Sequence, residues 1–261
     1  MKDFNGYVKR MSYALDEKLS FVDEVDLRDF DVLIDFGCGD GTLLNAIVNQ
    51  GYFAGEIIAY DNSREMINLA IRNNPRLGEY IYILSDLIKE VNVALLENKK
   101  VFMIFSSVWH EITDRAMQDE LLRLMTKIHG FYIRDMYYDS KTGNETLSDT
   151  VISNIKYRVS PQILSDFTER YGELKKNDEN FYHFVLKYTY VDNWETELEE
   201  NYFSTPWKRI INLLKLFDFK VWSDDIHTLN FKKEQVLKDF RYELKKPTHR
   251  KLIMIQNNIL E

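Results

Sequence analysis

The chain is poor in the residues that cross-link, punctuate or anchor a protein. It has one cysteine in 261 residues, Cys38, so no disulfide forms within it and the composition fits a reducing compartment. Four prolines and ten glycines argue against long low-complexity tracts. No apolar run approaches the roughly 18 residues of a membrane span. Residues 1–17, MKDFNGYVKRMSYALDE, carry charge throughout and lack the apolar core of a secretory leader. These absences lead us to expect a soluble, cytoplasmic protein with no membrane partner. Basic residues are also outnumbered, 34 Lys and Arg against 42 Asp and Glu, for a net charge of −8. Proteins that hold nucleic acid by neutralising phosphates are usually basic, so the acid excess lowers that expectation without removing it.

What is present is concentrated between residues 31 and 61, DVLIDFGCGDGTLLNAIVNQGYFAGEIIAYD. The apolar run Val32 to Ile34 ends in Asp35. Gly37, Gly39 and Gly41 follow at every second position. Leu43, Leu44, Ile47 and Val48 then recur at helical spacing, and a second apolar run, Ile57 to Tyr60, ends in Asp61. Strand, glycine loop, helix, strand and acid in this order place a nucleoside-type ligand at the carboxyl ends of two parallel strands. Glycines let the backbone approach a ligand closely, and an acid ending the second strand can accept from both ribose hydroxyls. The spacing is G-x-G-x-G, not the G-x-G-x-x-G of dinucleotide sites. Asp35 beside the loop suits a cationic or amine-bearing ligand better than a pyrophosphate.

These residues, with Ser85-Asp86-Leu87, resemble the class I S-adenosylmethionine-dependent methyltransferases. The resemblance covers roughly residues 30 to 138 well and the last fifty weakly. It implies S-adenosyl-L-methionine as cofactor. Gly37, Gly39 and Gly41 would surround the methionine portion, with Asp35 near its ammonium group. Asp61 would take the ribose hydroxyls, with Asn62 beside the adenine. Asp86 would accept from the adenine amine and Leu87 donate a backbone N–H. Ser106, at the end of the fourth strand, completes the expected cofactor set. Cys38 occupies a variable position of the loop and reads as a small filler.

Strand patterns at 31–36, 56–60, 80–84, 101–105 and 130–137 alternate with helical patterns at 41–50, 63–72 and 113–127, the last with Thr113 as its expected N-cap. This rhythm predicts an α/β, doubly wound, mostly parallel seven-stranded sheet. Residues 7–22 predict a helix before the first strand, and 1–30 an N-terminal helical lid. After Tyr138 the rhythm breaks. Helical patterns at 161–171, 193–203 and 206–217 lie in a block, 143–210, too long for a simple connection. It reads as a helical insertion over the substrate cleft, its many aromatics mostly core. Residues 31–142 and 211–261 would form the Rossmann-like domain. The last strands are expected near 218–223 and 251–256, around a helix at 232–243.

Methyl transfer from a sulfonium is an in-line displacement, helped mainly by holding donor and acceptor in line. A base is needed only if the acceptor must lose a proton. In this fold the segment after strand four faces the transferred methyl. It holds Ser106, Ser107, Trp109, His110 and Glu111. His110 is the side chain there that titrates near neutral pH without a large shift, and Glu111 could orient it or bind an acceptor amine. These two are the candidate catalytic residues; capping the following helix or packing beneath the insertion is the structural alternative for His110. No H-x-x-x-H or C-x-x-C spacing occurs, so no dedicated metal site is expected. The Asn/Asp-Pro-Pro-Tyr/Phe signature of amine methylation on nucleic acid bases is absent. The favoured acceptor is therefore a small molecule. RNA or a nucleotide is the second reading, motivated by seven basic residues against three acids over 232–250. A non-catalytic methyltransferase-like binding module is the third.

Overall fold

A computed structural model describes residues 14–73, 81–83, 91–92, 97–140, 147–175 and 177–259. The chain divides into two compact units. One comprises Leu15–Asp135, Thr205–Asp225 and Lys251–Glu261, the other Met136–Ser204 and Ile226–Arg250.

In the first unit a short helix α1 (Leu15–Leu19) runs into a 3₁₀ turn at Ser20–Asp23. Strand β1 (Val32–Phe36) is buried at every position, as a strand covered on both faces must be. Helix α2 (Thr42–Asn49) buries Leu43, Leu44 and Ile47. Strand β2 (Glu56–Tyr60) leads to α3 (Arg64–Asn73), which buries Ile67 and Ala70. Ser63 Oγ accepts from the Met66 N–H at its start. Then come β3 (Ile81–Ile83), β4 (Val101–Ser106), α4 (Arg115–Met125) and β5 (Gly130–Met136). The cap of α4 is Asp114, which accepts from the Ala116 N–H, not Thr113. Either residue reads as a cap in the sequence, and the register of the apolar face decides between them.

The second unit holds α5 (Asp149–Arg158), α6 (Pro161–Tyr171), α7 (Asp178–Tyr188) and α8 (Trp194–Glu199). Helices α5 and α7 lie outside the three patterns the sequence suggested. Helix α7 buries Phe181, Tyr182, His183, Phe184, Val185, Leu186 and Lys187 in succession, so it has no single apolar stripe to betray it. Phe167, Phe181, Tyr182, Phe184 and Trp194 join Val151, Ile155, Val236 and Phe240 in one core. Helix α9 (Trp207–Lys215) groups with the first unit, and α10 (Asn230–Phe240) with the second. Strands β6 (Phe219–His227) and β7 (His249–Gln256) end the chain.

The sheet has seven strands in the order β3-β2-β1-β4-β5-β7-β6. Strands β1 to β5 pair in parallel. The Tyr137 N–H donates to Thr248 and the Gln256 N–H to His129, so β7 recedes as β5 advances. The Thr248-to-His227 and Asn257-to-Asp218 bonds make β6 antiparallel to β7 in the same way. The order reverses at β1 and β4, and the carboxyl ends of strands flanking such a switch point form the ligand crevice of open α/β sheets.

Candidate cofactor and acceptor site

The loop leaving β1 turns three times through left-handed backbone, with φ of 77° at Gly37, 54° at Gly39 and 75° at Gly41. Glycine alone enters this region freely. Gly37 is confined as well: a Cβ there would come within 2.5 Å of Val108. Gly39 faces open space, with nothing within 4 Å of such a Cβ, the room a ligand lying on the loop requires. The Gly37 and Cys38 N–H groups donate to Tyr60 O. Gly41 is the N-cap of α2 without a side-chain bond. Asp40 caps instead, accepting from the Thr42 N–H at 3.1 Å and its hydroxyl at 2.8 Å.

Asp61, buried at the end of β2, fixes the loop from outside. One carboxylate oxygen accepts from the Gly39 N–H at 2.9 Å and the other from the Ser63 N–H at 2.8 Å. Each oxygen has a second lone pair, so the carboxylate can hold the loop and still accept from a ligand. Asn62 beside it is exposed. Asp86 and Leu87 lie outside the described residues.

Asp35 is 2 % exposed, and its Oδ1 has no hydrogen-bond partner. Burial raises its pKa to about 7, against the pull of Lys18 and with a further push from Asp61. Lys18, on α1, is lowered to about 8 by burial and then by Arg134, while Asp35, Glu17 and Asp40 hold it up. A buried acid left short of a partner at the ligand end of the sheet fits a ligand that brings an ammonium group. Cys38 is buried and its thiol is pushed up, chiefly by burial, which makes it packing and not a nucleophile.

Beyond β4, Ser106 is half-buried with its Oγ unpartnered. Ser107 takes φ 59°. Trp109–Glu111 form a 3₁₀ turn that buries Trp109 and His110 and leaves Glu111 exposed. His110 Nδ1 lies 2.7 Å from Asp135 Oδ1, and the His110 backbone N–H donates to Asp135 Oδ2 at 2.9 Å. The Thr205 hydroxyl donates to the same Oδ2 at 3.0 Å. Where Asp135 is ionised it accepts only, which places the proton on Nδ1 and leaves the lone pair on Nε2. In the sequence Asp135 is an acid beside Arg134 in the strand pattern 130–137, with nothing local to mark a partner. Its pairing with His110 spans 25 residues, and Thr205 lies 70 away. No local pattern encodes such separations.

No protein-family model matches the chain, and no curated protein does. Solved structures match its fold. The plantazolicin methyltransferase BamL, in complex with a triazolic desmethylPZN analog and SAH, aligns over 96 % of this chain and 88 % of its own, with 14 % identity and a TM-score of 0.50. PKMT2 from Rickettsia typhi in complex with AdoHcy aligns over 95 % of this chain, with 14 % identity and a TM-score of 0.53. The chain spans 54 % of that protein. The fold is the Rossmann-like fold of class I S-adenosylmethionine-dependent methyltransferases. In this fold the glycine loop and Asp35 stand at the end of β1, Asp61 at the end of β2, and His110 follows β4. Among the described residues, no helix is long and apolar enough to cross a membrane.

Proposed function

We propose that the protein is an S-adenosylmethionine-dependent methyltransferase acting on a small molecule. The observation that carries this reading is the glycine loop tied to Asp61 and open above Gly39, with a buried, underpartnered Asp35 beneath it. Gly37, Gly39 and Gly41 would carry the methionine portion. Asp35 would receive the ammonium and Asp61 the ribose hydroxyls, with Asn62 near the adenine. The bound cofactor would supply an electrophilic methyl on a sulfonium. Asp86, Leu87 and Ser106 complete the proposed binding set. His110, its tautomer set by Asp135, would take the acceptor's proton through Nε2, and Glu111 would hold the acceptor. Support for the acceptor side is positional, because the Val108 side chain packs on Gly37 and His110 lies two residues on.

The RNA reading draws on the basic stretch 232–250, but Lys232 and Lys246 are buried. Lys246 lies 2.5 Å from Asp178, and Lys232 donates to Val185 O at 3.0 Å. Charges spent inside the fold are lost to a phosphate backbone. Incubation with tritium-methyl-labelled S-adenosylmethionine, a small-molecule extract and total RNA tests the choice. Label is expected in the small-molecule fraction; label confined to RNA would overturn the small-molecule assignment.

A further inference from the structure

Strand register places five side chains on one face of the sheet. Asp35 pairs with Ile104, Ile104 with Tyr132 and Ser106 with Arg134, and residues two apart share a face. That face carries four buried polar atoms without hydrogen-bond partners: Asp35 Oδ1, Ser106 Oγ, Tyr132 OH and Arg134 Nη2. Such atoms are rare in folded proteins, and each calls for an explanation such as a missing water, ion or ligand. Arg134 is 3 % exposed. Its Nε donates to Glu17 on α1 at 2.8 Å, its Nη1 donates to Ser107 Oγ, and its backbone carbonyl accepts from the Ser107 N–H at 2.7 Å. The guanidinium is thus held in place with one end unused. Tyr132 is held as firmly, its ring stacked on Phe21 at 4.4 Å.

We propose that Arg134 Nη2, Tyr132 OH and Ser106 Oγ form a carboxylate-binding subsite at the β4–β5 end of the ligand crevice, beneath α1. The three atoms are donors of the kinds that recognise an anion, and Arg presents a fork matched to carboxylates. Glu17 on the same guanidinium restricts the guest to a single negative charge, because a phosphate dianion would meet the acid already there. The residues lie on strands β4 and β5, on the far side of β1 from Asp61. The carboxylate belongs either to the methyl acceptor or to the amino-acid end of the cofactor. This inference rests on the proposed methyltransferase reading for those two sources, and not for the subsite itself.

The test compares wild type with Arg134→Met and with Tyr132→Phe, which keeps the ring stacked and removes only the hydroxyl. Isothermal titration uses S-adenosylhomocysteine and 5′-methylthioadenosine, which lacks the amino-acid carboxylate. Thermal shift uses acetate, with and without S-adenosylhomocysteine. A carboxylate from the cofactor predicts a loss of about tenfold or more in S-adenosylhomocysteine affinity in both variants, with 5′-methylthioadenosine unchanged. A carboxylate from the acceptor predicts unchanged nucleoside binding and an acetate-dependent rise in wild-type melting temperature that both variants lose. Acetate indifference together with unchanged S-adenosylhomocysteine affinity in the folded Tyr132→Phe variant would overturn the subsite. Wild type that binds neither nucleoside would instead refute the methyltransferase reading, and the acetate arm on ligand-free protein would still decide the subsite.

Discussion

Asp35 sets the clearest expectation at the scale of the residue. Its carboxyl is raised from the ordinary range to about 7, first by burial. Between about pH 4 and 7 the unfolded chain therefore releases this proton while the folded chain keeps it, so stability falls as pH rises across that window. Asp35→Asn should flatten this part of the melting-temperature profile of the ligand-free protein. An ammonium-bearing ligand prefers the ionised carboxylate, so wild-type affinity for S-adenosylhomocysteine should rise through pH 7 and the variant should lose that rise. A pH-independent wild-type affinity would remove Asp35 from the ammonium site. For His110, substitution by Ala should lower turnover about 10²–10⁴-fold if it is the base, with cofactor affinity nearly intact; an unchanged rate per folded molecule would leave it a packing residue. The sequence made Asp35, Asp61 and His110 conspicuous because each sits at a strand end beside a recognisable loop. It could not reveal Asp135, Thr205 or Arg134 in their roles, since each acquires its partner only when distant strands pair.

Elements with a strong local signal were legible and those with a distributed one were not. Strands β1, β2 and β4 are short apolar runs closed by polar residues, and the structure places them within one residue of expectation. Helix α6 starts where Ser160 and Pro161 announce it. Ser160 Oγ accepts from the Ile163 N–H at 3.3 Å, and Pro161 stands in the first turn. Ser160→Ala should destabilise the protein by about 1 kcal/mol, measured by chemical denaturation; no change in midpoint would show that the cap is dispensable. Helices α5 and α7 carry no such signal, for different reasons. Helix α5 buries only Val151 and Ile155, too few for a stripe, and α7 is buried nearly all round. The N-terminal helix expected over 7–22 is described only from residue 14, as the five residues of α1 and a 3₁₀ turn.

Over the whole molecule, the chain builds a sheet whose strand order reverses between β1 and β4 and aims its glycine loop and acids at that reversal. The proposed cofactor site was readable because a short contiguous stretch supplies it: Asp35, the three glycines and Asp61 lie within 27 residues. The acceptor side draws on segments far apart in the chain, which is why the sequence pointed to a methyl donor more clearly than to its destination. The central claim is that this loop holds S-adenosylmethionine and not a dinucleotide. Isothermal titration of the intact chain with S-adenosylhomocysteine and, separately, with NAD tests it most directly. Saturable one-to-one binding of S-adenosylhomocysteine, abolished by Gly39→Val, and no heat of binding with NAD are the expected results; tight NAD binding with no response to S-adenosylhomocysteine would contradict the assignment.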